Sequence, residues 1–172
     1  MIDNCPVGTI VMWPGSEDAV PKDWMVCDGS KLPVPVQGQT SATTELYAVI
    51  GHSFDPPPGS PNYDPNSFLL PNLRGQFVRG ADARGSVDPD AGNRFNLYDE
   101  KSPAYGIGSA QGHQIASHHH AMTVFRAGKN YQVSSLASDN GSFGPCDTEN
   151  FGGKETRPVN IALHFIIKAF SK

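Results

Sequence analysis

The stretch Val159-Asn160-Ile161-Ala162-Leu163-His164-Phe165-Ile166-Ile167-Lys168 decides how this chain is read, because every odd position in it is large and apolar. Side chains alternate across a β-strand, so a period of 2 predicts a strand over 159–168 with one face buried. Upstream, Val7-Gly8-Thr9-Ile10-Val11-Met12-Trp13 is rich in β-branched and aromatic residues and stops at Pro14-Gly15, which predicts a strand and then a turn. Trp24-Met25-Val26-Cys27 predicts a second short strand, closed by the strong turn pair Asp28-Gly29.

One segment carries a helical period. In Thr43-Thr44-Glu45-Leu46-Tyr47-Ala48-Val49-Ile50-Gly51, either threonine can cap the first amides and Glu45 suits the positive end of the helix dipole. Leu46, Val49 and Ile50 are expected on one buried face, with Gly51 as the left-handed exit. The proline-rich run at 55–61 lacks amide donors and is expected as a surface loop. Phe68-Leu69-Leu70-Pro71 restores apolar character, followed by Asn72-Leu73-Arg74-Gly75-Gln76-Phe77-Val78-Arg79-Gly80. From Ala81 to Ser117 the chain is polar and glycine-rich with almost no period. Compact domains seldom carry ~35 such residues unless they are functional or ordered by neighbours. Between Met122 and Ser138 only short alternating stretches such as Tyr131-Gln132-Val133 occur, and a turn-rich span to Gly153 comes next. The expected class is therefore mainly β with one short helix and long irregular loops.

Composition agrees with a thin core. Hydrophobic residues are 38% of the 172, while 18 glycines and 15 prolines make up close to a fifth. A chain of this kind gains rigidity from something beyond its core, such as a metal or partner chains. The formal charge of −4 and the lack of a Lys/Arg block argue against nucleic-acid binding. No apolar run approaches the ~18–20 residues of a membrane span. The start, Met1-Ile2-Asp3-Asn4-Cys5-Pro6, lacks the basic-then-apolar order of a secretory signal, so synthesis in the bacterial cytoplasm without a signal peptide is expected. Cys5, Cys27 and Cys146 are odd in number with no C-x-x-C pair, which disfavours a disulfide framework or a cysteine zinc site.

Hydrolase, phosphate-loop, zincin and dinucleotide-binding signatures are absent, so no enzyme is expected. The informative feature is Ser117-His118-His119-His120. In extended backbone His118 and His120 share a face while His119 points away, and two imidazoles so placed can ligate one metal ion. Two ligands are too few. The remainder could come from His113, His52, His164 or Cys146, or from the same pair in two further chains around a threefold axis. The plain alternative is a histidine cluster titrating near neutral pH. Arg74, Arg79, Arg84 and Arg94 could clamp an anionic group such as a lipopolysaccharide phosphate, or could simply pair with nearby acids in a loop-rich fold.

Taken in order, six segments resemble the phage tail-collar domain proteins, a family that includes short tail fibres. They are residues 6–15, 24–30, 45–51, 68–82, 108–111 leading to His118 and His120, and 155–160 entering the last strand. The resemblance implies a collar domain over residues 1–82. Residues 83–172 would then form a loop-rich, interwoven trimeric receptor-binding region whose C-terminal strand returns to the core. It further implies a homotrimer in a phage tail or phage-tail-like particle, with other tail and baseplate proteins as partners and a host-surface glycan or lipopolysaccharide as receptor. His118 and His120 match the family's H-x-H pair, which implies a divalent transition metal, zinc or else iron, shared between three chains. Gly112-His113 stands where the family often has an acid, and the fibrous shaft that precedes the collar in short tail fibres has no counterpart before residue 6. An architectural cap without a receptor site, a cell-surface glycan-binding lectin and a metal-dependent hydrolase are the competing functions.

Overall fold

The computed structural model describes residues 4–82, 86–115 and 156–171. The chain divides into two compact units: Met1–Gly112 together with Asn160–Lys172, and His113–Val159.

The central sheet of the first unit has the order β1-β8-β2, with β1 at Ile10–Trp13, β2 at Trp24–Val26 and β8 at His164–Lys168. Both outer strands run antiparallel to β8. Met12 faces Phe165, and Ile10 and Met25 both face Ile167, so these five side chains share one side of the sheet. At Ile167, with Met25 and Phe165 packed beside it, that side closes onto the core, which comprises Cys27, Leu46, Ile50, Phe68, Leu70, Ile167 and Ala169, while Ile10 and Met12 stay exposed. Burying each large apolar side chain here contributes about 2 kcal/mol. On the opposite side Trp24 and Ile166 are buried, and the Lys168 ammonium sits beneath the Trp24 ring, 5.7 Å from its centroid, and pairs with Asp23.

The strand expected over 159–168 is assigned only from His164 onward. Period-2 patterning marks a face that wants cover, and the sheet supplies cover only as far as Trp13 and His164. Ile161 is 84% exposed and Leu163 40%.

The helix α1 runs Thr44–Ile50, close to expectation, but Thr43 makes no side-chain cap; the Thr44 hydroxyl instead accepts from the Ser41 amide at 2.8 Å. Leu46 and Ile50 are buried, one turn apart, whereas Val49 is exposed; Tyr47 takes its place beside the core and meets the Phe68 ring at 5.1 Å. Between β2 and the short ladder of β3 (Lys31–Pro33) with β4 (Ser67–Leu69), the turn at 27–30 is stitched to residues 70–73. Leu73 N donates to Cys27 O (3.0 Å), Gly29 N to Pro71 O (3.3 Å) and Leu70 N to Ser30 O (3.0 Å). The Asp28 carboxylate closes the turn by accepting from Ser30 N at 2.8 Å. Gly29 has φ +81°, and a Cβ there would lie 3.1 Å from both Asn72 Cβ and Tyr98 Oη, so glycine is required twice over.

The proline run is less superficial than expected, since Asp55 and Pro56 are buried. The span expected to lack regular structure contains a small sheet in the order β6-β5-β7, formed by Phe95–Asn96 (β5), Asp99–Pro103 (β6) and Ser109–Ala110 (β7). These strands are too short to leave a period in the sequence.

Candidate functional site

The H-x-H pair His118 and His120 lies outside the described residues, as do Arg84 and Cys146. Among the described residues no three His, Cys, Asp or Glu side chains gather where they could hold a metal ion. His52, a possible supplementary ligand, is already engaged at both ring nitrogens. Its Nδ1 lies 2.5 Å from an Asp55 carboxylate oxygen and its Nε2 3.0 Å from the Tyr47 hydroxyl. A carboxylate only accepts, so Nδ1 carries the proton, and in the neutral ring Nε2 accepts from Tyr47. The other Asp55 oxygen accepts from Leu69 N at 2.7 Å. The trio ties α1 to β4 and is structural. His113 is exposed, and His164 Nδ1 lies 4.0 Å from Glu17 Oε1.

The structure separates the arginines. Arg94 is well enclosed, with 16% of its side chain exposed and its guanidinium committed to neighbours. It donates to Ser109 Oγ (2.7 Å), Ser109 O (2.8 Å), Gln111 Oε1 (2.7 Å) and Asp88 Oδ2 (3.2 Å). Asp88, buried, also forms an ion pair with Arg79, whose guanidinium lies 3.2 Å from its other oxygen. The Asp82 carboxylate in turn accepts from the amides of Val87 (2.6 Å) and Asp88 (2.8 Å). This polar cluster orders 86–111 around one carboxylate, with Arg94 as its centre. Arg79 is about half exposed, and Arg74 is exposed with its Nε donating to Asn72 Oδ1 at 3.0 Å. Unlike Arg94, both reach solvent.

Beside the cluster is a groove of about 600 Å³. Leu73, Phe77, Val78, Ile107, Ile10 and Phe165 give it apolar walls, with Arg79, Arg94 and Gln111 among its polar members. Phe77, Val78 and Ile107 are exposed. Among the described residues no His, Cys, Asp or Glu lines it, and the hydroxyl of Ser109, which does, is bonded to Gly106 O at 2.6 Å and to Arg94 Nε at 2.7 Å. One flank is set by Gly108, whose φ is +82° and whose Cβ would stand 1.9 Å from the Ser53 carbonyl oxygen. Sequence reasoning does not foresee the groove. Its one signal is the adjacent pair Phe77-Val78 after Gly75-Gln76, two large apolar residues where a loop would carry polar ones.

Burial pushes the Cys27 thiol up to about 12, helped by the neighbouring Asp28 charge, so this cysteine is a packing residue and not a nucleophile. Tyr98, beside the same turn, is also raised, first by burial and then by the Asp55 charge.

Comparison with known proteins adds three findings. A sequence description of the Phage Tail Collar Domain matches residues 8–78. Protein RhiB of Rhizobium leguminosarum bv. viciae is 32% identical, over 84% of this chain and 63% of its own. Short tail fiber protein gp12 of Enterobacteria phage T4 is 28% identical, over 95% of this chain and 35% of its own. The chain thus spans less than two thirds of either relative.

Proposed function

From the match of residues 8–78 to the Phage Tail Collar Domain, we propose that the protein is a non-enzymatic structural part of a phage tail or phage-tail-like particle, a homotrimer fastened by metal at its tip. The observation that carries this reading is the alignment with the phage short tail fibre along 95% of the chain, which runs far beyond the collar segment itself. Within the proposal, His118 and His120 from each of three chains supply six imidazole nitrogens to one divalent ion, zinc or iron, whose role is to hold chains together. The outward role is attachment to a host-surface glycan or lipopolysaccharide, with the solvent-reaching Arg74 and Arg79, and Arg84, as contacts for anionic groups. Partners in the particle are other tail or baseplate proteins, and the protein resides in the virion or the released particle. Among the described residues no helix is long and apolar enough to cross a membrane.

Light scattering with metal analysis, before and after a strong chelator, tests the fastening. The expected result is three chains per particle with one metal ion, falling apart on chelation and in the His118→Ala and His120→Ala variants. Protonated imidazole does not ligate, so association should also weaken as pH falls below about 6. A metal-free monomer would sink the idea. Glycan-array binding that disappears in Arg74→Ala/Arg79→Ala, with assembly intact, supports attachment; no binding at all leaves an architectural cap.

A further inference from the structure

The turn at 27–30 gathers polar side chains that the fold leaves short of partners. Gly29 is its floor: a Cβ there would stand 3.1 Å from Tyr98 Oη and 3.3 Å from Asn72 Nδ2, so both side chains lean over the same bare backbone. Asn72 is bridged to Asp28 through the backbone, and its Oδ1 accepts from Arg74 Nε at 3.0 Å. Tyr98 is anchored by its own amide, which donates to Asn96 Oδ1 at 2.9 Å. Asp28 commits Oδ1 to Ser30, 2.8 Å from the amide and 2.5 Å from the hydroxyl, while its Oδ2 accepts from no described residue. Asn72 Nδ2, the terminal nitrogens of Arg74 and Tyr98 Oη are likewise without partners among the described residues. Burial raises the Tyr98 hydroxyl first and the Asp55 charge next; Arg74 and Asp28 act on it in opposite senses, yet no ion pair joins those two. Opposite charges thus flank one phenol with a gap between them.

We infer that Asp28, Asn72, Arg74 and Tyr98 form a binding site for the ring hydroxyls of a neutral sugar. This rests on the attachment role proposed above and narrows Arg74's part in it from an anionic group to a saccharide hydroxyl. A hydroxyl both donates and accepts, so it is held best where an acceptor and donors stand side by side. Asp28 Oδ2 is that acceptor, and Asn72 Nδ2 and Arg74 are the donors. A phosphate only accepts, and its charge would be set against Asp28, whereas the charges of Asp28 and Arg74 cancel for a neutral ligand. The Tyr98 ring, 37% exposed, offers contact area with few rotatable bonds to freeze. The site is also built in advance. Asp28 is fixed by Ser30, Asn72 by Arg74, and the two segments by the bonds Leu73 N to Cys27 O and Gly29 N to Pro71 O, so little side-chain freedom is lost on binding.

The test uses the full chain made with 3-fluorotyrosine, its 5 tyrosines followed by fluorine NMR as glucose, galactose, mannose or inorganic phosphate is added. The Tyr98 signal is identified as the one missing from Tyr98→Phe. At least one hexose should shift that signal, and phosphate should leave it in place. Arg74→Ala, at an exposed position, should weaken the hexose response about tenfold with an unchanged melting temperature. A Tyr98 signal unmoved by every hexose, moved as far by phosphate, or responding undiminished in Arg74→Ala overturns the assignment. If arrayed glycans or lipopolysaccharide still bind the chain in that event, the attachment role stands and only this site falls. If none binds, both fall together.

Discussion

Two regions of the first unit are built on opposite principles. Around α1, β4 and β8 the buried residues are apolar, with Leu46, Phe68, Leu70 and Ile167 all at 0% exposure. In the span 86–112 the most buried side chain is a carboxylate, Asp88, while Val87, Tyr105 and Ile107 face outward. The first region derives its stability from transfer of apolar surface out of water. The second obtains its shape from a satisfied polar cluster, which specifies geometry more than it stabilises. The contrast separates two modes of construction: the scaffold is organised around a buried apolar cluster, and the span beside the groove around a buried carboxylate.

The largest expected effect is on the scaffold. Phe68→Ala removes a fully buried ring that touches Tyr47 and should cost about 4 kcal/mol of unfolding free energy, measured by urea denaturation, or prevent folding outright. Asp88→Ala should cost about 3 kcal/mol locally, leaving Arg94 without its countercharge. Limited proteolysis should then cut within 86–112 while the melting transition of the remainder stays close to its original position. Arg79→Ala, removing the half-exposed partner, should cost under about 1 kcal/mol. If Asp88→Ala lowers the whole transition as far as Phe68→Ala, the two regions are one cooperative unit and the comparison breaks.

The smallest effect concerns Cys27. Its folded value of about 12 lies above the usual 9.0, so the fold favours the neutral thiol. Its contribution to stability is complete below pH 9 and is lost as pH rises between about 9 and 12. Alkylation of Cys27, with peptide mapping at pH 8.5, should accordingly proceed no faster than global unfolding. Rapid labelling of the native protein would place Cys27 outside the core and blur the scaffold's boundary.

Legibility in the sequence tracks the same divide. Strands β1 and β2, helix α1 and the last half of the closing strand are legible because apolar periodicity reports burial directly. A strand through 159–163 is an overreading, since alternation says that a face is to be covered and not by whom. The sheet at 95–110 is illegible because its strands are two to five residues long and are positioned by side-chain bonds such as Arg94 to Ser109. Asp88 cannot be singled out among scattered acids, because what makes it central is the approach of Gln111 and Arg94 in space. The likeness of residues 8–78 to the collar domain is legible from their ordered motifs, whereas the H-x-H pair rests on ligand chemistry and resemblance.

The position of β8 carries a consequence for how the molecule is made. The strand at the middle of the main sheet is the last of the three to be synthesised, and both of its neighbours precede it by well over a hundred residues. A nascent chain therefore holds β1 and β2 apart, with their edges open, until residue 168 has left the ribosome. Folding is committed late and through long-range closure, which is slow and exposes unpaired edges on the way. For a subunit of the assembly proposed above, that delay keeps the central sheet from closing before β8 is free to join it.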